Sequence, residues 1–82
     1  MDMASDASVY KTKDLYEAAL LYADGMRLTG LEGEARQSWF VFEDGVEAQK
    51  LADAYWAGET EVIAKHYADA VRSLKDRLFA RR

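Results

Sequence analysis

The sequence has no cysteine and no proline, one histidine, and no long apolar run. Without cysteine there can be no disulfide framework, thiolate zinc site or thiol nucleophile. Without proline, the ends of helices and strands must be set by glycines and capping residues. The longest apolar run, Ala18–Ala23, is far shorter than the roughly 20 residues that cross a bilayer. We therefore expect a cytoplasmic protein with no membrane segment and no thiol chemistry.

The composition predicts one small domain with a short polar leader. The chain has 82 residues, of which 50% are hydrophobic and 32% are charged, the balance of a globular protein. The first eight residues, MDMASDAS, are acidic and lack the apolar stretch of a secretory signal. We expect residues 1–8 to form a disordered acidic leader and residues 9–82 to form a single domain.

Charge is distributed unevenly along the chain. The net charge is −4, but residues 1–61 hold five basic and thirteen acidic side chains, whereas residues 62–82 hold six basic and two acidic ones. A bipolar chain of this kind can pair head to tail, present a basic end to nucleic acid, or present an acidic body to a basic partner.

Two predicted helices begin at capping boxes and end at glycines. Asp14, three residues before Glu17, begins the first helix, which ends at Gly25. The second helix repeats the pattern, with its start, capping partner and end at Asp44, Glu47 and Gly58. The last helix is predicted to begin at Glu59 or Thr60 and carries one apolar stripe. The members of that stripe are Ile63, Tyr67, Val71, Leu74 and Leu78.

Three strands complete the predicted order. A short strand at 9–11 precedes the first helix, and strands at 26–31 and 36–43 form a hairpin around residues 32–34. The order strand, helix, hairpin, helix, helix predicts an α+β fold with a three-stranded sheet packed against the helices.

Alternation along the strands predicts a candidate interaction surface. Phe40 and Phe42 share the core face. The residues expected on the opposite face include Lys11, Arg27, Gln37, Trp39 and Val41. In a regular register Trp39 lies between Lys11 and Arg27, although a bulge near Gly30 would shift the pairing of the strands. Such a face can stack nucleic-acid bases or anchor a protein interface, including a homodimer, unless the last helix covers it.

No motif predicts catalysis, a metal or a cofactor. His66 is the only histidine, and the residues four, seven and eleven positions after it, Ala70, Ser73 and Arg77, include no carboxylate. The glycines lack the spacing of a phosphate-binding loop. The densest carboxylate cluster is Glu43, Asp44 and Glu47. Helix capping and the helix dipole account for its spacing. The sequence therefore predicts a protein that is not an enzyme.

Five short strings occur in the order typical of one protein family. They are YKTKDLY from Tyr10, AALLYADG ending at Gly25, WFVFED at 39–44, AYWAG at 54–58 and RSLKDRLF at 72–79. Over residues 9–80 the chain resembles a domain-of-unknown-function family of short bacterial and phage proteins. The resemblance implies a setting in bacteria, prophages or other mobile elements, and it implies no substrate, cofactor or catalytic residue.

The preferred interpretation is a small non-catalytic interaction domain that acts through a protein–protein surface, with another protein or a second copy as partner. One alternative is nucleic-acid binding by Lys11, Arg27 and Trp39. That alternative also uses the C-terminal basic cluster, which consists of Lys75, Arg77, Arg81 and Arg82. The other alternative is an acidic phage-type inhibitor of a host defence complex, which acts through the carboxylate cluster.

Overall fold

The computed structural model describes residues 9–81, apart from the side chain of Ala35. Its strands are β1 (Val9–Thr12), β2 (Leu28–Glu32) and β3 (Trp39–Glu43), and its helices are α1 (Leu15–Ala23), α2 (Gly45–Trp56) and α3 (Ala64–Ala80). A 3-10 turn, Ala35–Gln37, joins β2 to β3. The predicted α+β order is confirmed. The predicted leader, residues 1–8, lies outside the described residues, as does Arg82.

The sheet is antiparallel, and β3 lies between β1 and β2. On one face Phe40 and Phe42 are buried, as the alternation predicts. The register of β2 shifts between Leu28 and Gly30, which is the bulge foreseen near Gly30. As a result, Leu28 pairs with Phe42 and Leu31 pairs with Phe40, so both leucines join the core face.

The core lies between this sheet face and the helices. The buried apolar residues of the helices are mostly small, which lets the helices approach the sheet and one another closely. The helical members of the core cluster are Ala18, Ala19, Leu21, Ala48, Ala70 and Leu74. Helix α3 packs mainly on α1, whereas α2 packs on α1 and β1. The last helix therefore does not cover the outer face of the sheet.

Helices α1 and α2 end at the predicted glycines, Gly25 and Gly58, both of which have positive φ. In each case the residue after the glycine donates its N–H back into the helix, from Met26 to the Leu21 carbonyl and from Glu59 to the Ala54 carbonyl. These bonds explain two corrections. The predicted strand start at Met26 is wrong, because that N–H belongs to the helix end, and β2 begins at Leu28.

The predicted start of the last helix at Glu59 or Thr60 is also wrong. The Glu59 N–H belongs to the end of α2, and α3 begins at Ala64. The predicted strand at 36–43 begins too early, because the Gln37 N–H donates to the Glu34 carbonyl and closes a turn. Strand β3 therefore begins at Trp39.

The capping predictions are half right. Asp14 Oδ1 accepts the backbone N–H groups of Tyr16 and Glu17, each at 2.9 Å, and Asp44 Oδ1 accepts that of Glu47 at 3.3 Å. The side chain of Glu17 does not complete its box. It is buried, and its Oε2 accepts the hydroxyl of Tyr10 at 3.0 Å and the indole N–H of Trp56 at 2.9 Å. This carboxylate joins β1, α1 and α2.

Candidate interaction site

The outer face of the sheet separates the residues predicted to act together. Lys11 lies opposite Val41, and its Nζ pairs with Glu32 Oε1 at 2.8 Å. Because Lys11 and Glu32 stand on the two outer strands, this ion pair crosses over β3. Val41 beneath it is only 4% exposed and is not available to a partner.

Arg27 lies at the far end of β3 from Trp39. Its carbonyl accepts the Glu43 N–H at 3.0 Å, and its Nε is 3.7 Å from Glu43 Oε2. With a rise of about 3.3 Å per strand residue, the two ends of β3 are about 13 Å apart. Arg27 therefore does not flank Trp39, and both Lys11 and Arg27 already have carboxylate partners.

The cation beside Trp39 is instead Lys13, whose Nζ lies 5.0 Å from the ring centroid. Such a contact is a cation–π interaction. Trp39 is 38% exposed. Gln37, which was predicted on the same face, lies in the 3-10 turn before β3. The structure therefore assembles Trp39 with the segment that leads into α1 and not with the middle of the sheet.

A cleft opens at this end of the sheet, between the hairpin connection, the start of α1 and the end of α3. Its volume is about 1000 Å³. The lining residues are Lys13, Leu15, Arg36, Gln37, Ser38, Phe40, Lys75, Leu78 and Phe79. We call this the hairpin cleft. The described residues that line it combine an apolar floor with three basic side chains and include no carboxylate.

Each basic side chain of the cleft comes from a different element. Lys13 lies between β1 and the N-cap Asp14, Arg36 lies in the 3-10 turn, and Lys75 lies on α3. Within residues 9–81 none of the three forms a salt bridge. Three cations therefore have no carboxylate partner among the described residues, in a chain whose net charge is −4.

Arg81 holds the cleft together. Its guanidinium donates to Ser38 Oγ at 2.9 Å, to the Glu32 carbonyl at 3.4 Å and to the Gly33 carbonyl at 2.6 Å. These bonds tie the C-terminal end of α3 to the hairpin. Of the predicted nucleic-acid cluster, Arg81 is thus a structural tie, Lys75 lines the cleft and Arg77 is exposed on α3. Arg82 is outside the described residues.

The opposite end of β3 is acidic. Glu43, Asp44 and Glu47 are all exposed there, together with Val46, which is 58% exposed. We call these four residues the acidic end. Asp44 has φ of 60°, a left-handed conformation that aspartate tolerates better than most residues. The two ends of the central strand therefore differ in charge, with carboxylates exposed at one end and the basic side chains of the cleft at the other.

Residues 9–81 contain no group of three or more His, Cys, Asp or Glu side chains placed to hold a metal ion. His66 is exposed on α3. No helix in the same range is long and apolar enough to span a membrane.

Sequence reasoning missed Lys13 and Arg36. Neither belongs to a periodic stripe or a charge cluster, since one precedes a helix cap and the other lies in a turn. Of the three basic side chains of the cleft, only Lys75 was predicted to bind a partner, because it belongs to the basic C-terminal segment. The arrangement depends on the bonds from Arg81 to residues 32, 33 and 38, which no local pattern encodes.

Most of the chain is similar to a known protein family. Residues 7–80 match a family model described as Domain of unknown function (DUF5659). The match extends from just before β1 to the last residue of α3. No curated protein and no solved structure matches the chain.

Proposed function

We propose a function from geometry, since the chain belongs to a family, Domain of unknown function (DUF5659), that supplies none. The chain is a small, non-catalytic, cytoplasmic interaction domain, and it binds a protein partner through the hairpin cleft. The observation that carries this proposal is the set of three basic side chains, none paired with a carboxylate within residues 9–81, around an apolar floor.

The composition of the cleft supports a protein partner. Aromatic residues and arginine are the favoured anchors of protein interfaces, and complementary charge steers the partner and fixes its orientation. Phe79 is 61% exposed at the cleft, and Arg36 lies across from it on the hairpin. The complementary partner surface carries carboxylates around one or two apolar side chains.

Photo-crosslinking in cells of the source organism tests the proposal. A benzophenone amino acid replaces Gln37, which lines the cleft, and in a parallel variant it replaces Gln49, which is exposed on α2. We expect a protein adduct from position 37 that falls at least fivefold with Lys75→Glu. The matched control, Lys50→Glu, makes the same charge change on α2 and should leave the adduct intact. Equal adducts from both positions, or no dependence on Lys75, would contradict the proposal.

Single-stranded nucleic acid is the second candidate, favoured by one observation. Lys13 lies over Trp39, and the cleft beside them holds two further cations and Phe79, a combination that can hold phosphates and stack bases. Labelled oligonucleotides titrated at low and physiological salt distinguish this candidate. Saturable, salt-sensitive binding that Trp39→Ala weakens would support it. The absence of binding at low salt would reject it.

A further inference from the structure

We infer that the partner in the hairpin cleft is the acidic end of a second copy of this chain, so that copies associate head to tail. This inference rests on the proposed function, because it names the protein that the cleft binds. It is argued from the charge, the apolar exposure and the relative position of the two surfaces.

The two surfaces are complementary in charge. The cleft has three cations without salt bridges among the described residues, from Lys13, Arg36 and Lys75. The acidic end has three exposed carboxylates. Only Glu43 among them has a basic neighbour within salt-bridge distance in the described part, and that contact with Arg27 is long, at 3.7 Å. When the acidic end of one copy docks in the hairpin cleft of another, the carboxylates meet the cations.

The surfaces also match in their apolar groups. Val46 projects from the first turn of α2 among the carboxylates, and Phe79 lies among the cations of the cleft. Each is more than half exposed in the single chain. A contact between the two surfaces removes both side chains from water, which favours association and is insensitive to salt.

The position of the surfaces decides the mode of association. They lie at opposite ends of β3, about 13 Å apart along the strand, so a chain does not fill its own cleft. A docked copy leaves one cleft and one acidic end unused at the two extremes of the pair. Such heterologous contacts extend into open chains or close into rings, unlike a twofold dimer, which stops at two copies.

The contact is expected to be weak. It involves one cleft and one helical turn, less than the roughly 800 Å² per partner of a standard stable interface. Because charge contributes much of the attraction, salt should weaken it. Association is therefore expected at high protein concentration and low ionic strength.

Sedimentation velocity on the full chain tests the inference with two neutralising variants. Arg36→Gln with Lys75→Gln disables the cleft, and Glu43→Gln with Glu47→Gln disables the acidic end. At low salt and high concentration, we expect wild-type protein to exceed the mass of a dimer and to return to monomer at high salt. Each variant alone should remain monomeric. Lys50→Gln with Lys65→Gln, which changes the net charge as the cleft variant does, should still associate.

Mixing the two variants gives the sharpest result. One intact acidic end then meets one intact cleft, and the broken surfaces prevent growth, so the mixture should reach two chains and stop. A wild-type protein that stays monomeric at low salt, or that stops at a dimer, would overturn the inference. So would a mixture that does not associate.

The crosslinking experiment separates this inference from the proposed function. If adducts at position 37 depend on Lys75 but contain a different protein, and the chain does not self-associate, the cleft binds another partner and only the inference fails. If neither adducts nor self-association are found, both fail.

Discussion

The two ends of β3 are built in opposite ways. The acidic end comes from one contiguous segment, residues 43–47, and is organised by local contacts such as the cap from Asp44 to the Glu47 N–H. The hairpin end gathers Lys13, Arg36 and Lys75 from three separate parts of the chain and depends on the long-range bonds of Arg81. The acidic end should therefore keep its structure when residues elsewhere in the chain are substituted. The hairpin end should lose structure when the hydrogen bonds of Arg81 are removed.

The largest effect is expected at Gly33, in the hairpin connection. Gly33 has φ of 89°, and an added Cβ would lie 2.7 Å from the carbonyl oxygen of Gln37, a backbone atom. Gly33→Ala should lower the free energy of unfolding by about 3 kcal/mol, from positive-φ strain and the backbone shift together. Urea denaturation measures this loss.

Gly25→Ala is the matched control. Gly25 has φ of 98°, but an added Cβ there meets nothing within 4 Å, so only the cost of positive φ applies, about 1 kcal/mol. Equal losses for the two variants would show that the hairpin connection moves away without cost, and that the hairpin end is not rigid.

The next largest loss of stability is expected when the Arg81 side chain is removed. Arg81→Ala deletes bonds to Ser38 and to two backbone carbonyls. The free energy of unfolding should fall by about 1.5 kcal/mol, since hydrogen bonds from charged groups contribute more than neutral ones. Amide hydrogen exchange should quicken in residues 32–38 and stay unchanged in residues 43–47. Equal quickening at both ends would contradict the difference drawn between them.

A smaller effect is expected at the acidic end. Asp44→Ala removes the cap on α2 and should cost about 1 kcal/mol in thermal unfolding experiments. Asp44→Asn keeps both the acceptor oxygen and the tolerance of left-handed φ, and should be close to neutral. If the two substitutions were equally harmful, the charge of Asp44 and not its capping oxygen would matter for folding.

The smallest effect concerns Tyr10, which lies between the two ends. Burial, followed by the hydrogen bond to Glu17 and the charge of that carboxylate, raises the pKa of Tyr10 to about 12. Because the folded state favours the neutral phenol, its stabilising contribution is complete below pH 10 and is lost as pH rises through 12. Tyr10→Phe should flatten the loss of stability in that window.

A residual slope is expected in the variant, because burial also raises the pKa of Tyr67. Urea midpoints measured at several pH values between 9 and about 12 test this. An unchanged pH dependence in Tyr10→Phe would show that folding does not raise the pKa of Tyr10.

Features encoded by neighbouring residues were predictable. The caps at Asp14 and Asp44, the helix ends at Gly25 and Gly58, and the α+β order all follow from short patterns and are confirmed. The family resemblance is also confirmed by the match over residues 7–80. The bacterial or phage setting that it implies stays a prediction.

What sequence reasoning missed depends on contacts across the fold. The N–H groups of Met26 and Glu59 donate to carbonyls of the preceding helices. As a result, β2 and α3 begin later in the sequence than predicted. Glu17 was assigned to a cap, yet its side chain is drawn into the core by Tyr10 and Trp56, which is 39 positions away. The hairpin cleft has no local signature, because Arg81 lies more than 40 positions from the residues that it binds.

The outer strand β2 limits how the sheet can grow. A bare strand edge invites pairing with another chain, which leads to aggregation. Here the bulge between Leu28 and Gly30 interrupts the regular ladder, and Arg81 occupies the carbonyls of Glu32 and Gly33 at the end of the strand. A fourth strand added along β2 would find no continuous row of donors and acceptors. The same guanidinium that shapes the cleft thus obstructs the addition of a strand at the β2 edge.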